Sequence, residues 1–192
     1  MNLPNKISIA RIILVPIVIA LYLLSVIEGL EYFKLISLGI LIISEATDFL
    51  DGYLARKNNQ VTDLGKFLDP IADKVLTLSS LLLVVCDFTL PYPYGIVAYI
   101  IILARELIIS SFRQIAATKN VVMAADKLGK LKTILLDIAI PSLFLLAYLN
   151  TTSLDLFRSI IMYISYIFMG LSVLLTVISG INYLVKNKNV LK

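Results

Sequence analysis

A chain of 192 residues that is 59% hydrophobic and only 16% charged, with a mean hydropathy of +0.94, is far more apolar than a soluble domain, in which about a quarter of residues are charged. Histidine and tryptophan are absent and cysteine occurs once, which excludes Ser-His-Asp and Cys-His catalysis, a disulfide framework and a cysteine zinc site. What remains is an integral membrane protein whose net charge of +4 matters less than where the charges lie.

Crossing a bilayer takes about twenty apolar residues, and six such spans can be laid along the chain. The start, Met1 to Lys6, is too short and too weakly charged for an organellar presequence, and the apolar run after it has no small-residue cleavage site. It therefore reads as a retained span, from about Ile7 to Ile27, with Asn5 and Ser8 as helix-start residues and Pro4 just outside. Glu28, Gly29 and Glu31 mark a short loop. The second span runs from about Tyr32 to Leu54 and carries Asp48 and Asp51 near its far end.

A polar link from Lys57 to Asp63 precedes the third span, from about Lys66 to Cys86, which carries Asp69 and Asp73 in its first two turns and Pro70 early enough to be tolerated. Residues three or four apart share a helix face. Asp48, Asp51, Gly52 and Ala55 thus form one stripe, and Gly65, Asp69 and Asp73 another. If the link turns the chain back, the two stripes can face each other. An Asp at the centre of a membrane helix costs roughly 2.5–3.5 kcal/mol on insertion scales, and clustered carboxylates repel one another unless cations sit among them. Oxygen-only ligands with no histidine favour hard divalent ions, Mg²⁺ or Mn²⁺, over zinc. Gly52, Ala55 and Gly65 leave room on the same faces for a ligand or a close helix neighbour.

Cys86, at the end of an apolar run, reads as a packing residue. Asp87 and Pro91 to Gly95 make the next turn, where Tyr92 and Tyr94 suit a membrane interface. The fourth span, from about Ile96 to Ala116, is unusual in holding Arg105, Glu106 and Arg113. A polar segment from Thr118 to Lys132 contains Lys119, Lys127, Lys130 and Lys132. The fifth span covers about Thr133 to Leu149, with Asp137 inside it and Pro141 placed to bend it. After a link from Asn150 to Arg158, the sixth covers about Ile160 to Val185 and ends in a basic tail. With no internal repeat or boundary, residues 1–192 read as one all-α domain, a bundle of six transmembrane helices. Placing the N-terminus inside puts Lys and Arg overwhelmingly in inner loops, leaving only Lys34 and Arg158 outside. Both termini and the Asp cluster are then expected at the cytoplasmic face.

The pattern D-x-x-D-G-x-x-A-R, eight residues, G-x-x-x-D-x-x-x-D resembles the signature of the CDP-alcohol phosphotransferases, with every fixed position filled from Asp48 to Asp73. The resemblance implies transfer of a phosphatidyl-type group from a CDP-linked donor to an alcohol, releasing CMP, with two divalent cations. It implies Asp48, Asp51, Asp69 and Asp73 as metal ligands, with Asp73 also the base that takes the acceptor's hydroxyl proton. Arg56 would pair with donor phosphate oxygens, and Gly52 and Ala55 would make room for the cytidine. Asn5, Ser8 and Arg11 border the nucleotide site on this reading, although capping and loop-charge roles account for them equally well. A homodimer is also implied.

Arg105, Arg113, Lys130 and Lys132 can form a cationic pocket suited to an alcohol that itself carries a phosphate. The alternative is a structural pairing of Arg105 with a carboxylate and lysines that are simply loop charges. Ala104 to Arg113, the segment Gly129-Lys130-Leu131-Lys132-Thr133 and the opening Asn2 to Asn5 look like the phosphatidylglycerophosphate synthase branch. That likeness implies CDP-diacylglycerol and sn-glycerol 3-phosphate as partners, in the bacterial cytoplasmic membrane, and no nucleic acid. Leu136 and Asp137 depart from it where a glutamine is expected. Inositol phosphate, serine and phosphatidylglycerol are the rival acceptors. A cation transporter using intramembrane carboxylates is the rival class, but its acids would be spread along a route across the bilayer.

Overall fold

The computed structural model describes residues 3–57, 63–119 and 127–187, with side chains described at 7–47, 65, 68, 70–119 and 127–187. Among the described residues six helices follow one another: α1 (Leu3–Leu24), α2 (Phe33–Lys57), α3 (Asp63–Cys86), α4 (Tyr94–Thr118), α5 (Lys127–Leu149) and α6 (Asp155–Lys186). No strand occurs among the described residues. By length and composition α1, α4, α5 and α6 can each cross a membrane, so the chain is an integral membrane protein. α2 and α3 are as long, at 25 and 24 residues, but they bear the acidic signature, which lowers their hydropathy.

Every expected span is present as a helix, and most of the helices run past the apolar stretch that announced them. The fifth begins at Lys127, not Thr133, because Lys and Leu are good helix formers and a helix need not stop at the hydrocarbon edge. α6, with 32 residues, is about 48 Å long at 1.5 Å per residue, against a hydrocarbon core of about 30 Å. At the N-terminus the expectation fails. α1 starts at Leu3, so Pro4 lies inside it, in the first turn, where a missing N–H costs nothing. Ser8 is consequently a buried interior residue, not a cap. Because α3 starts at Asp63, Asp69 falls at the end of its second turn and Asp73 one turn deeper, and Pro70 is an interior proline. The link that would turn the chain back between α2 and α3 lies mostly outside the described residues.

α5 is the central helix. Leu136, Ala139, Ile140, Leu143, Phe144 and Ala147 recur at three- and four-residue spacing and are all buried in the main core with Val15, Val18, Leu41 and Leu81. Its most extensive pairing is with α6, while α1 packs on α2 and α3, and α4 rests on α6 and α3. α6 meets the bundle through small and hydroxylated residues, Ser165, Ser172, Thr176, Ser179 and Gly180, which permit close helix approach. Their hydroxyls donate to carbonyls of their own helix, as Ser165 does to Ile161 at 2.7 Å and Thr176 to Ser172 at 2.7 Å.

One end of the bundle is closed by a polar knot. Lys34 Nζ, 6% exposed, donates to Asp87 Oδ2 at 3.0 Å and to the Ala147 carbonyl at 3.3 Å. Tyr22 Oη donates to the same Asp87 oxygen at 3.0 Å, and Tyr166 Oη donates to the Thr89 carbonyl at 3.0 Å. The first, second, fifth and sixth helices and the α3–α4 turn are thereby joined. Gly29, with φ of +84°, supplies the left-handed turn that leads from α1 toward Lys34. Cys86 is exposed and not packed inside: it is the last residue of α3, on the side turned away from the core.

Candidate functional site

At the opposite end from the knot, α3, α4, α5 and α6 surround a cavity of about 260 Å³. Helical spacing explains its walls. Asp73, Lys74 and Thr77 face it from α3, Arg105, Glu106 and Arg113 from α4, and Gly129, Lys132, Thr133 and Asp137, with Lys130, from α5. Tyr183 closes it from α6. Of the titratable chains on this wall, five are cationic (Lys74, Arg105, Arg113, Lys130, Lys132) and three are carboxylates (Asp73, Glu106, Asp137), a surplus of two positive charges.

The cations are held by specific bonds. Glu106 Oε1 accepts from Arg105 Nη1 at 2.9 Å and from Lys132 Nζ at 2.5 Å. Arg113 Nε donates to Tyr183 Oη at 3.1 Å, and its guanidinium carbon lies 5.4 Å from the Tyr183 ring centroid. Arg105 Nε is buried with no hydrogen-bond partner among the described residues. An orphaned cationic donor beside a cavity calls for a polar ligand.

A second chamber, of about 120 Å³, abuts the first and shares Asp73, Thr77, Thr133 and Asp137 with it. Arg11 from α1, Ser44 and Glu45 from α2 and Leu76 from α3 complete its lining. Arg11 is 1% exposed, and Ser8, one turn earlier on α1, is fully buried. Asp73 thus stands where the two spaces meet.

The four residues expected to bind a phosphorylated acceptor, Arg105, Arg113, Lys130 and Lys132, all line the larger cavity, together with Asp73. The structural alternative is present too, since Arg105 does pair with Glu106. Asp48, Asp51, Gly52, Ala55 and Arg56 lie on the uninterrupted α2, and Asp69 on α3, but their side chains, like that of Asn5, lie outside the described residues. Gly65 is buried on α3. The residues missed from sequence are Lys74, Thr77, Thr133 and above all Tyr183. The departure at Leu136 and Asp137 falls on the cavity wall itself.

Residues 1–178 match the family described as CDP-alcohol phosphatidyltransferase. The chain belongs to this family. Among the relatives of this CDP-alcohol phosphatidyltransferase family member, the chain is 36% identical to the CDP-diacylglycerol--glycerol-3-phosphate 3-phosphatidyltransferase of Bacillus subtilis, over 100% of its own length and 97% of the relative's. It is 35% identical to the protein of the same name from Rickettsia typhi, covering 95% of this chain and 94% of that one. A third of that name, from Haemophilus influenzae, is 43% identical over 59% of this chain and 58% of its own.

Proposed function

We propose that this CDP-alcohol phosphatidyltransferase transfers the phosphatidyl group of CDP-diacylglycerol to sn-glycerol 3-phosphate, giving phosphatidylglycerophosphate and CMP. The observation that carries the reading is the juxtaposition of Asp73 with a cavity bearing two surplus positive charges. A phosphomonoester near neutral pH carries about that charge in the opposite sense. The names of full-length relatives supply the same two substrates.

A hydroxyl oxygen of the acceptor forms a bond to the lipid-side phosphorus of the donor, and the bond from that phosphorus to the bridging oxygen breaks. CMP leaves with the bridging oxygen and its electron pair, and the acceptor's proton passes to the Asp73 carboxylate. A base must come within hydrogen-bond reach of its proton, and Asp73 borders the space in which the acceptor would sit. Arg105, Arg113, Lys130 and Lys132 hold the acceptor's phosphate so that its hydroxyl is presented to the donor. Arg56 pairs with donor phosphate oxygens, while Gly52, Ala55 and Gly65 leave space for the cytidine, with Asn5 and Ser8 at its border.

The donor set suits hard cations: Asp48, Asp51, Asp69 and Asp73 offer only oxygen, and the chain has no histidine. These four would hold two Mg²⁺ or Mn²⁺ ions, which when bound neutralise the pyrophosphate and stabilise the leaving oxygen.

The same reading places all six helices across the bacterial cytoplasmic membrane, with both termini and the cavity at the cytoplasmic face, residues 1–192 as one domain and the protein as a homodimer. Loop charge supports the orientation. The alternation of the helices sets the Lys34–Asp87 knot at one end and the cavity at the other, so the knot faces outward on this reading.

An acceptor panel of glycerol 3-phosphate, inositol phosphate, serine and phosphatidylglycerol, assayed by product lipid mass with CDP-diacylglycerol and Mg²⁺ or Mn²⁺, tests the proposal. Phosphatidylglycerophosphate is expected from glycerol 3-phosphate alone. Turnover only with inositol phosphate would show that the cationic cavity serves a different phosphorylated alcohol.

A further inference from the structure

The sequence motifs end before α6, which from its composition is only an apolar anchor. Its last turns, however, touch both arginines of the cavity. Ser179, Gly180 and Tyr183 lie on one face of the helix and are buried. They continue the small-residue stripe that packs α6 into the bundle.

Arg105 runs through a slot between two glycines. A Cβ at Gly180 would lie 3.2 Å from Arg105 Cγ, and one at Gly129 would lie 3.2 Å from Arg105 Nη2. Ser179 Oγ is 3.5 Å from the same nitrogen. With Nη1 bonded to Glu106, the side chain is fixed along its length while Nε remains unpartnered among the described residues. Arg113 is held differently. Tyr183, 3% exposed and in edge contact with Phe112 at 6.4 Å, accepts from Arg113 Nε. Engaging Nε leaves the two terminal nitrogens of Arg113 for a bidentate anion contact.

We infer that Ser179, Gly180 and Tyr183 are positioning residues for the acceptor. The end of α6 sets where the Arg105 and Arg113 guanidinium groups stand, and so sets selectivity for an alcohol bearing a phosphate. The inference rests on the proposed reading of this cavity as the acceptor's phosphate site. Ser179 and Gly180 stand behind the cavity wall and Tyr183 is part of it, and all three act through the arginines.

The test is steady-state kinetics of the full-length protein in mixed micelles containing CDP-diacylglycerol, with glycerol 3-phosphate varied, for Tyr183→Phe, Gly180→Ala, Arg113→Ala and the Arg113→Ala/Tyr183→Phe pair. Tyr183→Phe and Gly180→Ala should each raise the acceptor KM by about fivefold or more, with kcat and the donor KM within about twofold of the parent. The double variant should be no worse than Arg113→Ala, because Tyr183 acts through that arginine. An unchanged acceptor KM in both single variants, alongside a raised one in Arg113→Ala, overturns the inference and leaves the cavity's assignment standing. So does a double variant in which the two losses simply add. An unchanged acceptor KM in Arg113→Ala instead rejects the assignment, and the inference with it. If Tyr183→Phe does not fold, Gly180→Ala decides alone.

Discussion

Glu106 on α4 and Lys132 on α5 meet at 2.5 Å beside the cavity, with side chains only 15% and 6% exposed. The same carboxylate oxygen also holds Arg105. Removing it leaves two poorly hydrated cations facing each other, and breaking a buried pair from one side costs about 3 kcal/mol or more. Glu106→Ala should therefore lower the apparent melting temperature in detergent by roughly 6–12 °C, taking about 2–4 °C per kcal/mol for a chain of this size. Adding Lys132→Met should recover part of that loss. A double variant as unstable as Glu106→Ala alone would mean that the stranded Lys132 charge is not what the single substitution costs.

Asp73 is the one signature carboxylate whose described side chain borders both chambers. Asp73→Asn keeps its size but removes the negative charge and the proton acceptor. Turnover should fall by at least about 10²-fold, the lower range for loss of a general base, while the protein still inserts and elutes as the parent does. Near-normal activity would remove Asp73 from the base role.

The Lys34–Asp87 knot lies far from this chemistry. Asp87→Ala strips the buried Lys34 of its counter-ion and Tyr22 of its acceptor, so it should cost about 3 kcal/mol of stability with the acceptor KM unchanged. Thermal unfolding and kinetics on the same preparation check both halves. A raised acceptor KM with unaltered stability would contradict the division between a structural end and a chemical end.

Orientation can be read by thiol labelling. Phe88, just beyond α3, is 73% exposed, and Cys86 is the chain's only cysteine. In Cys86→Ser/Phe88→Cys, a membrane-impermeant maleimide applied to intact spheroplasts should label the new thiol. Labelling that requires permeabilised membranes would place the knot inside and invert the bundle.

How far the chain could be read in advance follows from the range of each signal. Long apolar runs announced all six helices because their hydropathy is local. Their ends were misjudged where a helix outlasts its apolar stretch, as at Lys127, or where Pro4 fits the first turn. Arg105, Arg113 and Lys132 were visible because charges in or beside an apolar span are costly. Tyr183 was not, since a tyrosine near the end of an apolar helix looks like an interface anchor, and only the packing of α6 against α4 brings it to Arg113. In sequence Lys34 reads as an outer-loop charge and Asp87 as part of a turn, because charges at span ends normally meet water. Their pairing depends on contacts between positions 53 apart in the chain. Cys86 misleads for the opposite reason: the apolar run before it does not decide which side of a membrane helix faces the core.

On the proposed reading, carboxylates on α2 and α3 serve divalent cations that hold a pyrophosphate for attack by a phosphorylated alcohol. CMP release from CDP-diacylglycerol by protein stripped with EDTA, then resupplied with Mg²⁺ or Mn²⁺, tests it most directly. Release should be absent from stripped protein, return with either ion and require glycerol 3-phosphate. The same rate of release with and without the cation would contradict the account.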